Sequence, residues 1–296
     1  MRILITGGLG FIGSRFVEMN SKDKLIILSP TIKKNSRQTK NLFYIKGSVT
    51  NNNIDKIFIK YKPDAVVHLA AKSGLSICEK NPLDAFNVNV LGTFNVIKAC
   101  EKCNSKLIFL SSREVYGEKC AKKTSENEDL IPTNIYGQTK LLAELLIKNS
   151  GKITKLNYTI LRPTNIYGPG SSKGINQMFK TVLNKRKITV NGGEQLINLI
   201  YIDDVIRAIT QSIYNKKSYQ QIFNLGTEET FKLKIIAKKI SQHLKKVQIK
   251  YGKKPQYEND KFIPNNQKIK KIMDFKSETK FDQGLENTIK WFENEK

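Results

Sequence analysis

The stretch RILITGGLGFIGS at residues 2–14 determines how the rest of this 296-residue chain is interpreted. A short apolar run is followed at once by glycines and then by a helical pattern. Gly7, Gly10 and Gly13 therefore stand at a strand-to-helix turn with the spacing of a phosphate-binding loop. Glycine there permits a tight turn, lets a pyrophosphate approach the backbone and lets the helix pack on the sheet. The stretch predicts a dinucleotide site.

Strand-like and helix-like segments alternate along the first half of the chain. The strand-like segments are continuous apolar runs, which is typical of strands that helices cover on both faces. This order predicts an α/β fold of the Rossmann type with a doubly wound parallel sheet. The expected strands are residues 2–6, 24–29, 43–45, 64–69, 106–111 and 158–161, and the expected helices are 11–19, 54–61, 88–103 and 135–149.

The pattern changes after about residue 162. Gly, Pro and Asn become frequent, and the later elements are shorter and less regular, with helical patterns at residues 177–184, 203–214, 232–244 and 285–292. We expect a dinucleotide-binding Rossmann domain at 1–165, to which 198–215 return. Residues 166–296 then form mainly a smaller C-terminal α/β domain that binds the substrate.

The chain is strongly basic, with 51 Lys and Arg against 26 Asp and Glu and a net charge of +25. Most of the cations are lysines spread along the whole chain, whereas arginine is the residue that reads guanine edges and clamps phosphates. We therefore expect a solvated lysine-rich surface rather than a nucleic-acid-binding protein. No apolar run approaches the roughly 18 residues of a membrane-spanning helix. We expect a cytoplasmic protein without membrane contact.

The cysteines and histidines do not form a metal-binding pattern. Cys100 and Cys103 have CxxC spacing, but no second CxxC or His pair stands at the distance of a zinc site. We expect reduced thiols and no metal. The other residues of these types are Cys78, Cys120, His68 and His243.

In NAD-binding proteins of this type, an acid about 20 residues after the glycine turn holds the ribose of the cofactor. The second expected strand of this chain ends without such an acid. It ends at Ser29, and Lys33, Lys34 and Arg37 follow. An acid would repel a 2′-phosphate, whereas a hydroxyl with nearby cations could bind it. We therefore prefer NADP(H) as the cofactor and keep NAD(H) as possible. The alternative is that these cations only share in the surface excess of lysine.

A catalytic set is expected where Tyr136 and Lys140 fall on one face of a helix. A phenol has a pKa near 10, so service as a base at neutral pH needs a shift of about three units, or roughly 4 kcal/mol. A neighbouring ammonium and a positively charged nicotinamide ring can supply this shift. Ser112, at the end of the fifth expected strand, completes the set.

Through these motifs the chain resembles the extended short-chain dehydrogenases/reductases of the nucleotide-sugar epimerase/dehydratase group. The resemblance runs through nearly the whole chain. It is carried by TGGLGFIGS at 6–14, HLAA at 68–71, NVLGT at 89–93, SSREVYGE at 111–118, YGQTK at 136–140 and LRPTNIYGPG at 161–170. YIDDV at 201–205 and FNLG at 223–226 extend it into the expected substrate domain.

The resemblance implies hydride transfer between sugar C4 and a nicotinamide ring. Tyr136 would handle the proton of the 4-hydroxyl or 4-keto group, and Ser112 would hydrogen-bond the same oxygen. Lys140 would bind the nicotinamide ribose and lower the pKa of Tyr136. Glu114 matches an acid/base of related dehydratases and decarboxylases, and a structural ion pair is the equal alternative. The implied catalytic residues are thus Tyr136, Lys140, Ser112 and Glu114.

The resemblance also implies two sets of binding residues. For Asn89, a direct and a purely structural role are both open. The cofactor set is Gly7, Gly10, Phe11, Ile12, Gly13, Ser29, Lys33, Lys34, Arg37, Leu69, Ala70, Ala71, Asn89, Tyr136, Lys140 and Pro163. The substrate set is Ser112, Arg113, Glu114 and Asn165.

The chain departs from the pattern of the group at three positions. Arg113 stands where dehydratases usually carry an acid, and a guanidinium does not give up a proton near neutrality. It could instead bind a substrate carboxylate or a keto oxygen. Ser48 replaces an acid that often contacts adenine, and Ile197 replaces an arginine that usually clamps the diphosphate.

Our sequence-based prediction is an NADPH-dependent 4-keto-sugar reductase acting on a nucleotide sugar. The basic loop after Ser29, the short chain and Arg113 favour it. Glu114 and the general motif set keep a nucleotide-sugar 4-epimerase and a 4,6-dehydratase open, and a cofactor-sensing or RNA-binding relative is the non-enzymatic alternative. By analogy with the group we expect a homodimer formed by the helices that contain Asn89–Cys103 and Tyr136–Asn149.

Overall fold

The computed structural model describes residues 1–32, 36, 38–51, 53–118, 123–171, 175–244, 247–254 and 262–294. Its strands are β1 (Arg2–Thr6), β2 (Lys24–Ser29), β3 (Leu42–Lys46), β4 (Ala65–His68), β5 (Lys106–Leu110), β6 (Lys123–Thr124), β7 (Tyr158–Pro163), β8 (Asn165–Tyr167), β9 (Lys187–Asn191), β10 (Leu196–Tyr201), β11 (Gln221–Leu225), β12 (Thr230–Lys232), β13 (Gln248–Gly252) and β14 (Ile263–Pro264).

The helices are α1 (Phe11–Met19), α2 (Ile54–Tyr61), α3 (Leu75–Lys80), α4 (Pro82–Phe86), α5 (Gly92–Cys103), α6 (Ile135–Ile153), α7 (Ile175–Lys185), α8 (Ile202–Tyr214), α9 (Leu233–Gln242), α10 (Gln267–Met273) and α11 (Phe281–Asn294). A π-helical turn at Asn87–Leu91 joins α4 to α5, and short 3₁₀ turns lie at Arg113–Tyr116 and Lys216–Ser218.

Seven parallel strands form the main sheet, in the order β11-β7-β5-β4-β1-β2-β3. The predicted α/β fold of the Rossmann type is therefore confirmed. Along β1, Ile3 and Ile5 belong to one hydrophobic core and Leu4 to another on the opposite face. Because helices bury both faces, successive residues of a strand are all apolar.

The chain adds strands first on one side of β1 and then on the other. β2 and β3 follow on one side, and β4, β5, β7 and β11 follow on the other. In open α/β sheets, ligands bind outside the carboxyl ends of the strands where the strand order reverses in this way. The glycine turn after β1 and residues 69–71 after β4 meet at that point.

The expected boundary at residue 165 stays a prediction, but one assignment made with it changes. The segment around Phe223 was expected in the substrate domain, whereas β11 pairs with β7 in the main sheet. Such a pairing joins residues about 60 positions apart and leaves no local signal in the sequence. The short helices α3 and α4 were not predicted because their few residues carry too little periodicity.

Smaller sheets and helices complete the part of the chain after β7. β8, β10 and β12 form one sheet, β9 pairs with β13, and β6 pairs with β14. The helix α7 packs against β9 and α11, and α9 packs against β9 and β12. Among the described residues, no helix combines the length and the apolar character that crossing a membrane requires.

Candidate active site

The glycine turn fits the backbone of a phosphate-binding loop. Gly7 has a left-handed φ of +71°, and a Cβ there would lie 2.8 Å from the backbone nitrogen of Ala70. A Cβ on Gly13 would lie 2.5 Å from the carbonyl oxygen of Gly7. Gly10 precedes α1 in an extended conformation and provides no side-chain cap. The first N–H groups of α1 therefore point toward a place where an anion can bind.

A single large cleft of about 2280 Å³ lies beside this turn. Small-molecule sites usually occupy about 300–1,000 Å³, so the cleft has room for a dinucleotide together with a second ligand. It brings together residues from distant parts of the sequence that the motifs predicted. These lining residues are Gly7, Gly10, Phe11, Ile12, Gly13, Leu69, Ala70, Ala71, Ser112, Arg113, Glu114, Tyr136, Lys140, Pro163 and Asn165.

Of the residues predicted to bind the adenosine end of the cofactor, the structure describes only Ser29 and does not place it in the cleft. Ser29 is buried and is not among the lining residues, which at this end include Pro30 and Ser48. The Ser48 hydroxyl is hydrogen-bonded to that of Thr50 at 2.8 Å. The other predicted ligands of this end, Lys33, Lys34 and Arg37, lie outside the described residues.

A buried hydrogen-bond chain fixes the loop after β4. The Thr93 hydroxyl donates to the carbonyl oxygen of Asn89 at 2.6 Å and therefore accepts from Nε2 of His68 at 2.9 Å. Nδ1 of His68 then accepts from the Thr6 hydroxyl at 2.7 Å, and Thr6 accepts from the N–H of Ala70 at 3.2 Å. Burial lowers the pKa of His68 to about 3, so the ring is neutral. His68 has a structural role here.

The side chain of Asn89 is engaged by the protein on both its ends. Its oxygen accepts from the N–H of Lys72 at 2.8 Å, and its nitrogen donates to the Lys72 carbonyl at 3.0 Å and to the Thr139 hydroxyl at 2.9 Å. Asn89 is buried and is not among the residues that line the cleft. Of the two roles left open, the geometry favours the structural one, in which Asn89 ties the loop after β4 to α6.

The two serines that follow β5 have different environments. The Ser111 hydroxyl donates to Oε1 of Glu144 at 2.5 Å, and Glu144 forms a fully buried ion pair with Arg162 at 2.6 Å. Ser112 instead lines the cleft, and its side chain interacts with that of Tyr136. The buried pair anchors the strand end, and Ser112 presents its oxygen to the tyrosine.

Lys140 lies one helical turn after Tyr136 and completes the expected catalytic set. Its ammonium donates to the carbonyl oxygen of Leu110 at 2.7 Å and lies 6.0 Å from the centroid of the Tyr136 ring. Burial lowers the pKa of Lys140 to about 8, although Glu144 and Cys78 oppose this shift. Lys140 is therefore a cation at neutral pH.

The pKa of Tyr136 differs from the sequence-based expectation. Burial and the charge of Glu114 raise it well above its usual value near 10, with only the hydrogen bond from Ser112 acting against them. Lys140 was expected to lower it, but burial is the largest cause of the shift and the pKa of Tyr136 rises. The positive charge of an oxidised nicotinamide ring is the kind of partner that would lower it.

Glu114 and Arg113 lie side by side in the wall of the cleft, and both are buried. Oε1 of Glu114 forms an ion pair with Arg113 at 3.0 Å, and Oε2 accepts from the Asn134 side chain at 2.8 Å. The guanidinium of Arg113 also lies 5.8 Å from the ring of Phe262. Both carboxylate oxygens of Glu114 thus have partners in the protein.

The opposite end of the cleft is lined by residues from α7, β9 and β10. Asn165, which was predicted to bind substrate, lines it and donates to the carbonyl oxygen of Asn198 at 3.3 Å. Ile197 lines it too, so an apolar side chain occupies the position at which the group usually carries an arginine. Lys185, at the end of α7, is a lining cation at this end.

Sequence reasoning missed Asn134 and the segment at residues 72–77. Asn134 caps α6, because its side-chain oxygen accepts from the N–H of Gly137 at 2.8 Å. An Asn directly before a helical pattern is a recognisable cap signal and could have identified it. Residues 72–77 line the cleft between β4 and α3 and carry no comparable signal.

A glycine turn at the switch point of a parallel sheet, facing a Ser-Tyr-Lys set across one cleft, defines an NAD(P)-dependent enzyme of the Rossmann class. The model of the NAD dependent epimerase/dehydratase family matches residues 3–226. The chain belongs to this family, the group of extended short-chain dehydrogenases/reductases that its motifs resemble. A nicotinamide dinucleotide is the cofactor typical of that family, and the glycine cradle fits one.

Curated relatives at 30% identity or more include a dehydratase and an epimerase. A dTDP-D-glucose 4,6-dehydratase of Dictyostelium discoideum is 32% identical over 266 residues, which cover 81% of this chain and 61% of that protein. The chain thus spans less than two thirds of that relative. A putative UDP-glucose 4-epimerase of Methanocaldococcus jannaschii is 30% identical over 236 residues, or 76% of each chain.

A solved structure shares the whole fold. It is a UDP-glucuronic acid 4-epimerase from Bacillus cereus in complex with UDP-glucuronic acid and NAD. It is 25% identical, has a TM-score of 0.90 and is matched over 100% of both chains. The similar proteins named here are thus 4-epimerases and a 4,6-dehydratase, and the structure that holds a cofactor holds NAD.

Proposed function

We infer that this chain is a nucleotide-sugar 4-epimerase that works with a retained NAD. The observation that carries the inference is that Ser112, Tyr136 and Lys140 line the same cleft as the glycine turn. These groups are the ones needed to remove a proton from a sugar hydroxyl and to return it. The resemblance to two 4-epimerases supports the same reaction.

The chain's own residues would move one proton in each direction. When bound, NAD would supply the acceptor for the hydride of sugar C4 and then the donor that returns this hydride to the opposite face of the same carbon. Tyr136 would take the proton of the 4-hydroxyl and give it back to the 4-oxygen, which Ser112 would hold by a hydrogen bond. The ammonium of Lys140, fixed by Leu110, would stabilise the phenolate. Each unit by which the pKa of Tyr136 is lowered corresponds to about 1.4 kcal/mol of stabilisation of the phenolate relative to the phenol.

The neighbourhood of Glu114 favours epimerisation over dehydration. Removal of a sugar hydroxyl as water needs a proton donor for the leaving group and a base for the adjacent carbon. Arg113 does not give up a proton near neutrality, and it neutralises one oxygen of Glu114. A 4,6-dehydratase is the second candidate, because Glu114 lines the cleft beside Ser112 and the Dictyostelium relative carries that name.

Net reduction with NADPH now has less support than internal redox. The similar proteins are 4-epimerases and a 4,6-dehydratase, and Arg113, which favoured reduction, forms an ion pair with Glu114. Ser29, the expected partner of a 2′-phosphate, is buried. An enzyme that returns its hydride needs no exchangeable cofactor, and NAD then suffices.

The test is to incubate the purified chain with a panel of UDP- and dTDP-hexoses and to follow C4 inversion by proton NMR. Mass spectrometry of the cofactor released on denaturation should give NAD. Tyr136→Phe should lower kcat by about 10²–10⁴-fold, because it removes the group that transfers the proton. Tyr251→Phe, at an exposed tyrosine of β13, is the matched control and should change nothing.

Four results would contradict this proposal. A 4-keto-6-deoxy product would identify a dehydratase, and stoichiometric consumption of added NADPH would identify a reductase. Full activity of Tyr136→Phe would remove the proposed proton carrier. A released NADP would overturn the assignment of the cofactor.

A further inference from the structure

We propose that Glu114 is a positioning residue, which ties the start of α6 to the turn after β5 and thereby aligns Tyr136 with Ser112. This inference rests on the proposed function and gives Glu114 a different role from the acid/base role that the family resemblance suggested. It also explains why a carboxylate stands in the wall of the cleft next to an arginine.

A ring of contacts, three of which are hydrogen bonds, carries the proposal. The Ser112 hydroxyl accepts from the backbone N–H of Glu114 at 3.2 Å. Oε2 of Glu114 accepts from the side-chain nitrogen of Asn134 at 2.8 Å, and the oxygen of the same amide accepts from the N–H of Gly137 at 2.8 Å. Tyr136, next to Gly137, completes the ring, because its side chain interacts with that of Ser112.

The ring is buried and tightly packed. Glu114 is 5% exposed and Asn134 is 3% exposed. The backbone of the turn also touches the helix, since a Cβ on Gly137 would lie 2.5 Å from the carbonyl oxygen of Glu114. The two segments are 20 residues apart in the chain, and this contact fixes their relative position. A side chain in such a ring has few alternative positions.

The partners of Glu114 make it a poor carrier of protons. Arg113 pairs with Oε1 at 3.0 Å, and Asn134 donates to Oε2. A proton on either oxygen would face a guanidinium or displace an amide hydrogen bond. Both contacts use the carboxylate oxygens of Glu114 as acceptors within the protein.

Four single variants and one double variant test the ring, with kcat, KM and thermal stability measured for each. Glu114→Gln retains an oxygen that accepts from Asn134, whereas Glu114→Ala removes it. Asn134→Ser still caps α6 but does not reach Glu114. Glu79→Ala is the matched control, because Glu79 accepts from the N–H of Ile135 at the same helix start without belonging to the ring.

A positioning role of Glu114 predicts a specific pattern of kcat and KM values. Glu114→Ala and Asn134→Ser should each lower kcat by about 10–100-fold with KM changed less than about threefold, since small displacements of a reacting group cost up to about 10²-fold. Glu114→Gln should lose less than about tenfold. The double variant Glu114→Ala/Asn134→Ser should be no slower than the worse single variant, because both break one link. Glu79→Ala should stay within about threefold of the wild type.

An acid/base role predicts the opposite. If Glu114→Gln is as slow as Glu114→Ala, with a loss of 100-fold or more, the proposal is overturned. It is also overturned if the losses of the two single variants multiply in the double variant.

Amide hydrogen exchange separates this proposal from the proposed function. The N–H of Gly137, which bonds to Asn134, should exchange at least about tenfold faster in Glu114→Ala than in Glu114→Gln, with no substrate present. This comparison remains decisive if the wild type epimerises no nucleotide sugar. Equal exchange in the two variants would refute the ring.

Discussion

Lys140 shows at the residue scale how burial prepares a catalytic charge. It is 3% exposed, and its ammonium is held by the carbonyl oxygen of Leu110 rather than by a carboxylate in direct contact. Burial disfavours the charged form and lowers the pKa of Lys140 to about 8, while Glu144 and Cys78 favour the charged form. The cation is therefore present below about pH 8 and is lost as the pH rises through that value.

Activity should consequently fall on the alkaline side, because the neutral amine no longer stabilises the phenolate of Tyr136. We expect kcat/KM to decrease between about pH 8 and pH 10 in a pH profile. Lys140→Arg, which keeps a cation and a donor for Leu110, should show reduced activity without this decrease. If the same decrease remained in Lys140→Arg, another group would be responsible for it.

At the scale of the element, the turn between β1 and α1 depends on missing side chains. Gly13 lies against the carbonyl oxygen of Gly7 and the Cα of Gly8, where a Cβ would be 2.5 Å from each. A Cβ on Gly10 would meet the same carbonyl at 3.2 Å, a distance that small shifts can absorb. Gly13 thus serves the packing of α1, whereas Gly10 keeps the phosphate-binding face open.

The two glycines should therefore separate stability from cofactor binding. Gly13→Ala should lower the free energy of unfolding by about 1–3 kcal/mol, the usual cost of overpacking. Gly10→Ala should change stability by less than about 1 kcal/mol but weaken NAD binding tenfold or more. Urea unfolding and calorimetric titration with NAD measure the two effects. Equal stability of Gly13→Ala and the wild type would disprove the packing argument.

On the scale of the whole molecule, an exposed apolar surface lies on helices that pack side by side. α6 contacts α4 and α5, and large apolar side chains stand exposed on α4 and α6. Exposed apolar surfaces of this kind mark sites of protein association, and most homo-oligomers are twofold dimers. The exposed apolar side chains of α4 and α6 are Leu83, Phe86, Leu142 and Leu145.

A homodimer was expected through the helices now seen as α5 and α6, and we predict that it forms through this surface, which combines α6 with α4. Leu142→Glu/Leu145→Glu should shift the protein from dimer to monomer in analytical ultracentrifugation, because burying two carboxylates is costly. Ile235→Glu, at an exposed apolar residue of α9, is the control and should leave the assembly unchanged. A monomeric wild type, or a dimer that persists in the double variant, would rule out this interface.

Several parts of the site could be read from the sequence because their signals are local. Gly7, Gly10 and Gly13 lie within seven positions of one another, and the Tyr136–Lys140 spacing is one helical turn. Turn chemistry and periodicity act over such distances. The family motifs added Ser112, which lies in the same cleft.

Other assignments depended on packing. Asn89 looked like a binding residue, yet its amide bonds to Lys72 and Thr139. Ser29 ends β2 as expected, but its side chain is buried rather than presented to the cleft. Which way a side chain points at a strand end or in a helix is decided by the elements around it, and a single sequence does not contain that information.

The sequence by itself determined the α/β class, the glycine turn and the identity of the Ser-Tyr-Lys set, because each follows from a pattern of a few neighbouring residues. Only the tertiary structure decided that β11 joins the main sheet and that Glu114 bonds to Asn134 while Arg113 neutralises it. These contacts join segments far apart in the chain or depend on buried geometry. Their free energy comes from packing and desolvation in the folded molecule, which no local pattern encodes.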